Sequence, residues 1–171
     1  MPRIVLIGAP GSGKSSVGKA LARELGISFE DTDATIVEVT GKTIPEIFEE
    51  SGEVGFRAIE RSVVLAALSS KAEIISLGGG AILDPKVQQV ISEPGRTVIY
   101  LQVGVRNAQN RIGIKGDRPL VADNPAKQWS ALLKVREPIY RSLASLTAFT
   151  DNRKPHEVAH DLVLKMGITH G

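Results

Sequence analysis

Residues 8–15 read Gly-Ala-Pro-Gly-Ser-Gly-Lys-Ser, the spacing G-x-x-x-x-G-K-[ST] of a phosphate-binding loop. Such a loop needs glycine because successive backbone N–H groups must turn inward around an anion, where a Cβ would clash. Gly11, Ser12, Gly13, Lys14, Ser15 and Ser16 are therefore the expected nucleotide-binding residues. Lys14 is long enough to reach the β- and γ-phosphates of a nucleoside triphosphate, and the Ser15 hydroxyl suits Mg²⁺.

Further along, Asp31-Thr32-Asp33 places two acids one residue apart. On extended backbone such neighbours point in different directions. Phosphoryl transfer to an alcohol needs a metal near the β/γ oxygens and a carboxylate that orients the acceptor hydroxyl. Asp31 suits the first task and Asp33 the second; a helix cap at Asp31 or Thr32 is the structural alternative. Arg57 and Glu60 are three apart and share a helix face. They read either as a surface pair or as an arginine gripping an anion while Glu60 orients it.

Gly78-Gly79-Gly80 is a costly run for any chain to order, and it points to a loop where backbone approaches a ligand closely. Arg118, between Lys115, Asp117 and Pro119 in a polar Gly/Pro-containing stretch, suits a closing lid that neutralises charge on a moving phosphoryl group. Arg136 could bind the same anion as Arg57 or be solvated. Asn152-Arg153-Lys154-Pro155 puts a basic group where it could stack over a base. His156, His160 and His170 read as solvated.

These residues need elements to position them, and the pattern alternates strand and helix throughout. Strands are expected at 3–7, 27–31, 73–77, 97–101 and 147–150. Helices are expected at 14–25, 32–39, 44–50, 54–68, 85–92, 105–112 and 155–166, and at 126–143 with an interruption at Pro138. Residues 113–125 read as a mobile loop. In the helix at 54–68 the apolar side is expected to carry Ile59, Val63, Ala66 and Ala67. Strands joined by helical crossovers make an α/β fold with a parallel sheet covered on both faces. The chemistry should then lie just past the strand ends.

Composition narrows the function classes. A chain of 171 residues without cysteine suits one domain and excludes disulfides, thiolate chemistry and Cys-ligated zinc. The net charge of +2 is too small to argue for nucleic acid. It is unevenly spread: residues 1–100 hold 10 Lys/Arg against 13 Asp/Glu, and residues 101–171 hold 11 against 6. The basic half suits arginines aimed at phosphates. No apolar run approaches the roughly 18 residues of a membrane helix. With the phosphate loop directly after the first strand, no signal peptide is expected, and the chain reads as a cytoplasmic monomer.

Taken together, these segments resemble the shikimate kinases over essentially the whole chain. The marks are the loop at 8–15, Asp-Thr-Asp at 31–33, Phe-Arg-Ala-Ile-Glu at 56–60 and Leu-Gly-Gly-Gly-Ala at 77–81. Arg-Pro-Leu at 118–120, Arg-Glu-Pro-Ile-Tyr at 136–140 and Asn-Arg-Lys-Pro at 152–155 complete the set. The resemblance implies a single P-loop kinase domain with a five-stranded parallel sheet of order 2-3-1-4-5. A substrate-binding region near 32–60 and a lid near 112–124 are part of that expectation. The implied activity is ATP-dependent phosphorylation of the 3-hydroxyl of shikimate, with Mg²⁺, on the route to aromatic amino acids. Asp33, Arg57, Gly79, Gly80 and Arg136 would then hold shikimate, and Lys14 and Arg118 would stabilise the moving phosphoryl group. Ser15 and Asp31 would serve the metal, and Arg111 and Arg153 would flank the adenine. A gluconate kinase-like or other small-molecule P-loop kinase is the nearest alternative. A GTPase-like switch would require an Asn-Lys-x-Asp segment, which the sequence lacks.

Overall fold

The run Arg-Ile-Val-Leu-Ile forms β1 (Arg3–Ile7), and its side chains divide by parity. Ile4 and Leu6 enter one apolar cluster, while Val5 and Ile7 enter another on the opposite face. A strand apolar on both faces must sit inside a sheet that is covered on both sides. The computed structural model describes residues 3–115 and 125–168. After β1 come α1 (Lys14–Leu25), β2 (Phe29–Asp31), α2 (Thr32–Thr40), α3 (Ile44–Ser69) and β3 (Ile74–Ser76). A 3-10 turn (Ala81–Leu83), α4 (Pro85–Ile91), β4 (Arg96–Gln102), α5 (Val105–Lys115), α6 (Pro125–Leu143), β5 (Leu146–Phe149) and α7 (Pro155–Met166) follow.

The five strands pair in parallel in the order β2-β3-β1-β4-β5, as the resemblance implies. Val5 lies opposite Ile75 on one side and Val98 on the other. Val17 and Leu21 of α1 with Leu162 and Val163 of α7 cover one face. Val64 and Leu68 of α3, Val87 and Ile91 of α4 and Tyr140 of α6 cover the other. The carboxyl end of β1 therefore opens between β3 and β4, the crevice where open parallel sheets bind ligands. No helix among the described residues is long and apolar enough to cross a membrane.

Several boundaries differ from expectation for physical reasons. The two helices expected at 44–50 and 54–68 are the arms of α3, bent where Gly52 takes φ 67° and ψ −175°. Stacked Phe48 and Phe56, with ring centroids 4.6 Å apart, bridge the bend. The buried stripe of α3 runs through Phe56, Glu60, Val63, Val64, Ala67 and Leu68. Ile59 is half-buried against the cluster of Phe56 and Val63, whereas Ala66 is exposed. Pro138 does not interrupt α6. It lies on an exposed face with Lys134, so the Lys134 carbonyl that proline leaves without a helix donor can turn to water. Helix α5 runs on through 113–115, so the expected loop is shorter at that end. The remainder of the expected lid, with Arg118, lies outside the described residues.

The approach of α1 to the sheet yields a test. A Cβ on Gly18 would lie 2.3 Å from Phe29 Cε2 and 3.0 Å from Leu6 Cδ1. Gly18→Ala should destabilise the fold by about 1–3 kcal/mol through overpacking, read as a lowered calorimetric Tm. An unchanged Tm would show that α1 can move off β2 freely.

Candidate active site

The loop after β1 folds with Gly8, Gly11 and Gly13 at φ of 154°, 81° and 92°, a region that disfavours side chains. Its carbonyls are held one after another, the first two by the loop's own lysine and the rest from outside. Lys14 Nζ donates to Gly8 O at 2.8 Å and Ala9 O at 3.1 Å. The Trp129 indole N–H on α6 donates to Pro10 O at 2.9 Å. Arg111 on α5 donates to Gly11 O at 3.0 Å, and the Thr150 hydroxyl, just past β5, donates to Ser12 O at 2.8 Å. Since C=O and N–H point in opposite directions across a trans peptide, pinning carbonyls outward favours N–H groups facing the concavity. Lys14, only 9% exposed, and Ser12 are buried in this cradle, whereas Ser16 is exposed on the first turn of α1.

At the end of β2, Asp31 is the helix cap that stood as the structural alternative, and it also contacts the phosphate loop. It caps α2 by accepting from Asp33 N at 2.9 Å and Ala34 N at 3.4 Å, and it also accepts the Ser15 hydroxyl. Thr32 between the acids is buried and donates to Ser76 O at 3.2 Å, fixing the start of α2 on β3. Asp33 is thereby turned toward the loop that follows β3.

That loop is the triple glycine, and each glycine makes room for a different charged side chain. A Cβ on Gly78 would lie 2.7 Å from Asp33 Oδ1 and 3.1 Å from Glu60 Oε2. On Gly79 it would meet Pro10 Cδ at 3.0 Å and an Arg136 nitrogen at 3.3 Å, and on Gly80 an Arg57 nitrogen at 2.4 Å. The triplet thus gathers Asp33, Arg57, Glu60 and Arg136 beside the phosphate loop. Arg57 reaches Glu60 Oε1 at 2.6 Å, and Glu60 and Arg136 are both 4% exposed. Arg57–Glu60 is therefore no surface pair. Burial pushes the Glu60 carboxyl upward, and the Arg57 guanidinium offsets that only in part. A cleft of about 340 Å³ opens on the outer side of Arg57, lined also by Glu53, Arg61, Leu83, Asp84 and Val87.

Arg153 stands at the turn after β5, close to Thr150 in sequence, but its guanidinium pairs with Asp161 of α7 and reaches Phe149 O at 3.3 Å. Residues 156–160 spell His-Glu-Val-Ala-His, the letters of a zinc helix, which the solvated reading passes over. Both histidines are exposed on α7, and His160 Nδ1 is not merely solvated but lies 2.9 Å from Glu24. No group of three or more His, Cys, Asp or Glu among the described residues could hold a metal. Thr150, Trp129 and Tyr140 join the site although their residue types do not announce it. The available signals are positional: Thr150 follows a strand end, and Trp129 and Tyr140 flank Arg136 on one helix.

A phosphate loop at the sheet's switch point, with a second loop beside it that collects an acid and two arginines, defines a P-loop kinase of small molecules. A family model described as shikimate kinase matches residues 10–166. The shikimate kinase of Thermobifida fusca is 47% identical over 164 residues, covering 96% of this chain and 94% of that one. That of Rhodococcus erythropolis is 45% identical over 166 residues, covering 96% and 97%. The solved structure of the Acinetobacter baumannii shikimate kinase in complex with shikimate superposes with a TM-score of 0.92 at 38% identity, covering 98% of this chain and 94% of that one. The chain belongs to the shikimate kinase family.

The raised Glu60 carboxyl makes a signed prediction. A group that holds its proton more tightly folded than unfolded contributes stability at low pH and loses it as pH rises through its folded pKa. Glu60→Gln should therefore make the ligand-free fold more stable than wild type at neutral pH, with the difference shrinking toward about pH 4. Urea unfolding at the two pH values checks this. A variant less stable at neutral pH would mean that the Arg57 pair outweighs the burial of the charge.

Proposed function

We infer that this chain transfers the γ-phosphoryl group of ATP to the 3-hydroxyl of shikimate, giving shikimate 3-phosphate and ADP. The observation that carries the residue assignment is the convergence of Asp33, Arg57 and Arg136 on three glycines beside Pro10 of the phosphate loop. Two guanidiniums suit a single carboxylate, and the Asp33 carboxylate beside Gly78 suits a ring hydroxyl. In this reading Arg57 and Arg136 take the shikimate carboxylate, with Gly79 and Gly80 beneath the ring. Asp33 orients the acceptor oxygen toward the γ-phosphorus.

The phosphate loop supplies most of the electrostatics. Its inward N–H groups receive phosphate oxygens, and Lys14, which rests on the loop's own carbonyls, is placed to move onto the β- and γ-phosphates. Arg118 completes the charge on the transferring group; this role rests on the resemblance alone. Arg111, which is tied to Gly11 O and to Thr150, is assigned with Arg153 to flank the adenine, a role that rests on the resemblance. The acceptor proton moves late in a loose transition state, so orienting the hydroxyl is a sufficient task for Asp33.

The donor set fits Mg²⁺. Ser15 hydroxyl and Asp31 carboxylate are hydrogen-bonded to each other at the N-terminus of α1, two hard oxygens of the kind this ion takes. These two residues would hold it together with phosphate oxygens and water. The ion would supply neutralisation of phosphate charge.

The direct test is Mg²⁺-dependent ADP release with shikimate, gluconate or nucleoside monophosphates as acceptor; turnover with another acceptor but not with shikimate would overturn the substrate. Lys14→Ala and Arg118→Ala should each lower kcat by about 100-fold or more, and full turnover in either would remove that residue from the transfer step. Arg57→Ala and Arg136→Ala should raise the KM for shikimate by about 10-fold or more while sparing that for ATP. Unchanged shikimate kinetics would sink the carboxylate assignment.

A further inference from the structure

Trp129, Leu133, Arg136 and Tyr140 fall at i, i+4, i+7 and i+11 along α6, which places them on one helical face. The two aromatic residues end on backbone carbonyls of different loops. The Trp129 indole N–H donates to Pro10 O of the phosphate loop, and the Tyr140 hydroxyl donates to Gly79 O of the glycine loop. Both side chains are buried, Trp129 at 2% and Tyr140 at 0% exposure. The loops are themselves adjacent, since a Cβ on Gly79 would lie 3.0 Å from Pro10 Cδ. Between the two aromatic anchors stands Arg136, whose positive charge acts on the Tyr140 hydroxyl. Tyr140 in turn stacks on Tyr100 of β4, centroids 5.0 Å apart, so its ring is fixed from the sheet side.

We propose that Trp129 and Tyr140 are positioning residues, through which α6 sets the phosphate loop with one hydroxyl-free donor and the shikimate loop with a phenol. The proposal rests on the assignment of Gly79, Gly80 and Arg136 to shikimate. Across the trans peptide, anchoring the Gly79 carbonyl on Tyr140 aims the Gly80 N–H away from α6. That phenol oxygen therefore sets a backbone donor of the glycine loop. Losing that oxygen should therefore disturb shikimate binding and leave the nucleotide side alone. Losing the indole N–H should do the reverse.

The test is steady-state kinetics of the full chain with Tyr140→Phe, Trp129→Phe and Tyr100→Phe, supported by titration calorimetry of shikimate without nucleotide. Tyr140→Phe keeps the ring stack and should raise the KM and the dissociation constant for shikimate about fivefold, with the KM for ATP unmoved. Trp129→Phe should raise the KM for ATP by a similar factor, about fivefold, and spare shikimate. Tyr100→Phe removes a hydroxyl that bonds Glu137, not a ligand loop, and should move neither KM. A purely structural role would lower Tm in all three with no split between substrates, and that result overturns the proposal. Arg136→Lys separates the levels. If it weakens shikimate binding while Tyr140→Phe does not, the positioning role fails alone; if both are silent, the underlying assignment fails with it.

Discussion

The phosphate loop can present its N–H groups to an anion only because something else takes its carbonyls. Left to itself, a strand-to-helix turn with this many glycines has too many conformations to hold one concavity. Here the carbonyls of residues 8–12 are taken by Lys14 from within and by Trp129, Arg111 and Thr150 from α6, α5 and the end of β5. The rest of the architecture follows from satisfying that requirement. Helices α5 and α6 must close over the loop, and β5 must end beside it. A Cβ on Gly11 would lie 2.8 Å from Ala108 O, so α5 has no room to do otherwise.

The second loop obeys a different constraint, the burial of charge. Glu60, Arg57, Arg136 and Asp33 converge there, the first and third buried and the other two half-buried, and Glu60 bears the penalty as a raised carboxyl. Buried charges are tolerated when each has a partner, and Arg57–Glu60 provides one such pairing. What the glycines contribute is space. A side chain at these positions would force Asp33, Arg57, Pro10 or Arg136 to shift from where it stands. Loop flexibility is secondary there, since neither Gly79 nor Gly80 takes a positive φ.

Much of this was legible in the residues. A parallel sheet with right-handed crossovers follows from the alternation of apolar runs with helical periods, and its strand order is what the family resemblance implies. The phosphate loop declares itself by letters and context. Asp33, Arg57 and Arg136 were legible as candidates because acids and arginines near strand ends invite a chemical reading. Their convergence was not, since residues 33, 57, 78 and 136 meet only through tertiary packing. Glu60 was ambiguous for the same reason: i, i+3 spacing does not say which face of α3 is buried. Trp129, Thr150 and Tyr140 were opaque, because a tryptophan, a threonine and a tyrosine are ordinary core or strand residues until the carbonyl they reach is known. The bend at Gly52 was visible as a gap between two helices, while the continuity of α6 through Pro138 depended on an outward-facing backbone that composition does not report.

The placement of the aromatic residues has an optical consequence. The chain contains one tryptophan and two tyrosines. Trp129 is bonded to the phosphate loop, and Tyr100 and Tyr140 stack behind the glycine loop. Intrinsic emission from the indole therefore originates at the phosphate loop, and the dichroism of the coupled phenols behind the glycine loop. The enzyme carries native, unlabelled chromophores at both loops. Changes at the phosphate loop and at the glycine loop can be recorded side by side in a cuvette.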